Sequence, residues 1–68
     1  MNIEPPTPAI AGLEQALSAL PQLQRRAFLL AAGERLPYPV AAKQLGISAA
    51  RFERVLARAI ASLDRTLS

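Results

Sequence analysis

Apolar residues along this chain fall at helical intervals in four separate runs. Ile10, Leu13, Leu17 and Leu20 are spaced three and four apart, which predicts a first amphipathic helix that Pro21 ends because it has no amide to continue it. Pro21 then suits the first position of a second helix, predicted over residues 22–32, where Leu23, Ala27, Leu30 and Ala31 mark the buried face and Phe28 and Leu29 widen it. Gly33 lets the chain turn out of that helix. Residues 34–39 read as a connector in which Pro37 and Pro39 bracket Tyr38, a packing residue, with Pro39 suited to opening the next helix.

A short helix is predicted over residues 40–45. Three different residues then stop the chain, anchor it and restart it. Gly46 can take the left-handed conformation that ends a helix, Ile47 can drop into the core, and the Ser48 hydroxyl can accept a hydrogen bond from a free amide of the helix that follows. That last helix, predicted over residues 49–67, separates its residue types when projected at about 100° per residue. Phe52, Val55, Leu56, Ala59, Leu63 and Leu67 share one side with Ile60 at its edge, and Arg51, Arg54, Arg58 and Arg65 lie nearly opposite.

With 68 residues the chain forms one all-α domain of four small helices containing a helix-turn-helix without winged elements, and its core is modest. Half of the chain is apolar, drawn mostly from Ala and Leu, with no Trp, which suits helices packed through short side chains. The sequence has no Cys and no His, so thiolate or imidazole metal sites, a disulfide framework and Cys or His nucleophiles are excluded and no cofactor is expected. Its carboxylates lack the partners of acid-base catalysis, and the chain reads as a non-enzyme. Residues 1–9 hold Pro5, Pro6 and Pro8 and read as a flexible arm or linker ahead of a domain over residues 10–68; no apolar run is long enough to span a membrane, and residues 1–8, acidic and Pro-rich, do not read as an export signal.

The net charge is +3, and all eight basic residues lie from Arg25 onward. That asymmetry favours an anionic partner, and the short helix, glycine turn and arginine-striped helix together point to double-stranded DNA. In such a unit Ala49, Ala50, Arg51 and Arg54, at the exposed start of the capped helix after Ser48, meet base edges, and Arg58 lies nearer the phosphates. Lys43 and Gln44 on the preceding helix are candidate phosphate contacts, and the free amides at Ala49 and Ala50 suit a phosphate. Taken one at a time these features are weaker: an arginine stripe is more often a solvated helix face, and Leu45-Gly46-Ile47-Ser48 fits any helix-helix turn.

The run from Ala16 to Pro21 and on through Arg25-Arg26-Ala27-Phe28-Leu29-Leu30, then Leu36-Pro37-Tyr38 and Ala41-Ala42-Lys43-Gln44-Leu45-Gly46-Ile47-Ser48, resembles region four of bacterial extracytoplasmic-function sigma factors. The ending Leu56-Ala57-Arg58-Ala59-Ile60 is similar to their iron-uptake branch. The resemblance implies a four-helix domain that recognises an upstream promoter element through its helix-turn-helix, with Arg51, Arg54 and Arg58 on the DNA-facing helix and Lys43 on the supporting one. It also implies docking on the β-subunit flap of RNA polymerase through an apolar surface on the first two helices that includes Leu20 and Leu23, restraint by an anti-sigma protein, and a bacterial cytoplasmic location.

Pro39 and Val40 stand where the family commonly has acidic residues, and Glu53 and Val55 stand where basic ones are frequent, so the resemblance implies altered DNA affinity. No counterpart of the family's region two is present, which leaves two readings open: an excised domain with residues 1–9 as linker remnant, or a stand-alone regulator. A protein-interaction module that binds polymerase or an anti-sigma partner with little DNA contact is the alternative function, and pairing of two copies through Ile60 and Leu67 is a further one. Target bases, regulon, inducing signal and oligomeric state are not encoded in any motif of the sequence.

Overall fold

A computed structural model of the protein describes the backbone of residues 8–67 and the side chains of residues 12–67. The arm expected over residues 1–9 lies outside the described residues as far as residue 7. Among the described residues there is no strand, and four helices follow one another: α1 (Pro8–Ala19), α2 (Gln22–Phe28, prolonged by a π turn over Leu29–Gly33), α3 (Tyr38–Leu45) and α4 (Ala49–Leu67). The small all-α helix-turn-helix architecture predicted from the periodicity is the one observed.

Pro21 stands one position before the helical position expected of it, and Pro37, expected within the connector, takes the opening role expected of Pro39. Pro21 and Pro37 are the residues before α2 and α3, each with extended backbone at ψ 148° and 145°, and each carbonyl accepts the first helical hydrogen bond, from Arg25 and Ala41 at 3.0 Å. A cap position costs proline nothing, because its carbonyl is the group the helix needs there and its missing amide has no intrahelical role. In consequence α3 opens at Tyr38 rather than Val40, with Pro39 inside its first turn. Residues before proline disfavour helical backbone. Tyr38 adopts it with its ring against Phe52, the centroids 5.3 Å apart and the planes tilted by 58°.

The end of α2 also departs from the simple pattern. The Glu34 amide donates to the Leu29 carbonyl, five residues back, so one extra residue is accommodated in the turn. Leu30 stays buried, but Leu29, predicted to widen the buried face, is 44% exposed. The chain reverses at Arg35, at φ 56°, and not at Gly33. Leu36 then donates its amide to the Leu30 carbonyl at 3.0 Å and returns its side chain to the core, where it is half-buried.

Two clusters share α4 as their common wall. Nearer its start, Phe52 and Leu56 pack with Ala27 and Leu30 of α2 and Ala41 and Ala42 of α3. Nearer its end, Ala59 and Leu63 pack with Ala16 and Leu20 of α1. Phe28 touches both and joins them. Phe52 is fully buried and is the largest such side chain, while the alanines at 41 and 42 let α3 approach α4 closely. Leu67, predicted on the core side, is instead 49% exposed.

Candidate nucleic-acid interface

The geometry between α3 and α4 follows from three residues. Gly46 sits at φ 71° and ψ 29°, the left-handed region that costs glycine nothing. Its amide donates to the Lys43 carbonyl and that of Ile47 to the Ala42 carbonyl, both at 3.1 Å, which is the paired bonding of a Schellman turn. Ile47 is thereby turned inward against the α2–α4 core. Ser48 starts α4: its Oγ accepts the Arg51 amide at 3.1 Å and its carbonyl accepts the Phe52 amide at 2.9 Å. The stop, anchor and start read from the sequence are present in that order.

With Phe52 and Leu56 fixed inward, the first turns of α4 present the rest of their surface to solvent. Ser48, Ala49, Ala50, Arg51, Arg54 and Arg58 are all exposed, as are Lys43 and Gln44 on the last turn of α3. Arg51, Arg54 and Arg58 line one open groove of about 270 Å³, whose other wall is the start of α2 with Pro21, Leu23 and Gln24, and whose floor includes the half-buried Val55. Arg51 and Arg58 stand four residues before and three after Val55, so they share its side of the helix, towards α2. Arg54 is flanked at the same intervals by the exposed Ala50 and Ala57, on the outermost face. No ion pair involves these three guanidinium groups among the described residues. Glu53 falls on the opposite flank of α4 and does not line the groove.

Not every predicted residue is gathered here. Gln44 lines a separate shallow depression with Arg26, Leu29, Leu30 and Glu34. Leu20, assigned to polymerase docking, is only 7% exposed and is used up in the contact of α1 with Ala59 and Leu63, so it has no free surface to dock with. Leu23 is half-buried on the wall of the arginine groove.

The accessible apolar surface lies away from Leu20, along the Ile60 and Leu67 edge that the sequence also offers for pairing of two copies. A groove of about 370 Å³ runs between α1 and the C-terminal half of α4, lined by Leu13, Phe28, Ile60, Leu63, Asp64 and Leu67. Ile60 is 50% exposed and Leu67 49%. The edge position of Ile60 in the helical projection was the signal for it. Among the described residues no helix is long and apolar enough to cross a membrane and no group of three or more carboxylates is placed to hold a metal ion.

Residues 10–63 match the family model for sigma-70, region 4, and the chain belongs to that family, whose members serve promoter recognition at the minus 35 element in transcription initiation. No curated protein and no solved structure matches the chain significantly.

Proposed function

We propose that this member of the sigma-70 region 4 family reads duplex promoter DNA with the first turns of α4 and holds the backbone with the arginines beside them. The observation that carries the reading is the Gly46-Ile47-Ser48 turn, which leaves Ala50 and Arg54 on the outward face of a capped helix and Ala49 exposed at its start, while Arg51 and Arg58 lie along one flank. A helix of this kind enters the major groove by its N-terminal residues. Arg54 is assigned to base edges, where a guanidinium can donate bidentately to guanine, and the alanines leave room for approach and for contact with thymine methyls. Arg51, grouped with Arg54 in the sequence reading, is reassigned with Arg58 and Lys43 to phosphates, because it shares the α2 side of the helix. Gln44, in its separate depression, is left outside this set.

Docking on the β flap of RNA polymerase is assigned to the groove between α1 and the end of α4. Apart from Asp64 its lining is apolar, Ile60 and Leu67 stand open at its rim, and it lies towards the opposite end of α4 from Ser48, so both contacts fit one molecule. The same surface supports the second reading, capture by an anti-sigma protein of the iron-uptake kind. On the DNA reading the domain works at promoter DNA in the bacterial cytoplasm.

Amide chemical-shift mapping of the labelled chain separates the two surfaces. A promoter duplex should move residues 48–58 and Lys43, and a flap-tip peptide should move Leu13, Ile60 and Leu67. Shifts confined to the second set under both titrations would leave the interaction module and remove the DNA reading.

A further inference from the structure

The arginine groove contains a polar atom that the DNA reading does not use. Gln24 Oε1 is buried and has no hydrogen-bond partner, although its residue sits on the wall facing Arg51 and Arg58. A buried amide oxygen without a donor is costly, and native folds rarely leave one. The other lining residues on α2 offer it nothing: Pro21 has no amide hydrogen and Leu23 no polar side chain. The side-chain donors in the groove besides Gln24's own amide are guanidinium groups, each with five N–H bonds and no capacity to accept.

We infer that Gln24 is a positioning residue for DNA binding, its Oε1 accepting a hydrogen bond from the guanidinium of Arg58 or Arg51 and aligning that group on a backbone phosphate. The inference rests on the DNA reading above and adds a residue on α2 to an interface otherwise built from α3 and α4. A long arginine side chain loses rotamer freedom when it binds. An acceptor fixed on the neighbouring helix restricts the guanidinium beforehand and takes one of its N–H groups, leaving the others for phosphate oxygens. The Gln24 Nε2 is a further donor on the same wall. Since only phosphate is engaged, the contribution is to affinity and not to choice of sequence.

Two substitutions test this in the whole chain, using a duplex with an upstream promoter element and a scrambled one. Gln24→Leu keeps the size and removes the acceptor. It should melt no lower than the parent, bind both duplexes about five- to tenfold more weakly with an unchanged preference between them, and reduce the salt dependence by about one phosphate contact. Gln24→Glu places a carboxylate among the arginines, and should lose more DNA affinity while melting at the same temperature or higher. Combined with Arg58→Ala and, separately, with Arg51→Ala, Gln24→Leu should be less than additive with one of them. Parental affinity and salt slope in Gln24→Leu, or additive losses with both arginines, would overturn the inference alone. Failure of the unsubstituted chain to bind either duplex would overturn the DNA reading and this inference together.

Discussion

Ser48 Oγ accepts the amide of Arg51 at 3.1 Å, so the residue that starts α4 also fixes the backbone of the first arginine in the groove. Ser48→Ala removes that acceptor and should cost about 1 kcal/mol, lowering the melting temperature by about 4–8 °C for a domain of this size. Ser48→Asp can still cap the helix and should recover most of the stability, yet its charge sits where phosphate approaches, so DNA affinity should stay low. Thermal melts and duplex titrations on the two variants check this. Parallel recovery of stability and affinity in Ser48→Asp would show that the start of α4 does not face the phosphates.

Gly46 is required for its backbone and not for space. A Cβ there would meet no atom within 4 Å, but φ is 71°. Gly46→Ala should destabilise by about 1–2 kcal/mol through the left-handed conformation alone, and Gly46→Asn by less, because asparagine visits that region more readily. Denaturant midpoints rank the three proteins, and an alanine variant as stable as the parent would contradict the turn described.

Gly12 is the opposite case. It lies within α1, where a Cβ would make an ordinary contact at 3.7 Å with Leu67 Cδ2. Gly12→Ala should therefore stabilise the fold by about 0.5–1 kcal/mol through lower chain entropy and better helix propensity. A fall in melting temperature would mean that α1 does not pack on the end of α4 as described.

The legible parts of this fold were those set by local rules. Gly46, Ile47 and Ser48 announce a turn because each has one backbone task, and the arginine stripe on α4 follows from periodicity alone. The errors arose where long-range packing decided the outcome. Leu29 points outward because a π turn adds a residue that a 3.6-residue period cannot anticipate, and Leu20 is buried because α1 lies across Ala59 and Leu63, a contact distant in sequence. Tyr38 joins α3 through its ring contact with Phe52, fourteen positions along the chain, against the local bias of the following proline. Gln24 carried no signal at all: its interest lies wholly in the arginines that the fold brings opposite it.

The apolar groove makes a separate prediction. Ile60 is half exposed, so Ile60→Glu should leave the melting temperature within a few degrees of the parent and the DNA affinity unchanged. Binding of a flap-tip helix peptide should fall about tenfold or more, since a carboxylate at the rim must be desolvated against an apolar partner. Calorimetric titration of the peptide checks this, and undiminished affinity would move the docking surface elsewhere.

The most direct test of base reading by α4 is fluorescence-anisotropy titration of the chain and of Arg54→Ala against the promoter-element duplex and its scrambled counterpart, at two salt concentrations. The chain should prefer the promoter element and weaken on both duplexes as salt rises. Arg54→Ala should lose about 1–3 kcal/mol of that preference while keeping salt-sensitive general binding. Equal affinity of the unsubstituted chain for both duplexes, or an unchanged preference in Arg54→Ala, would contradict the account.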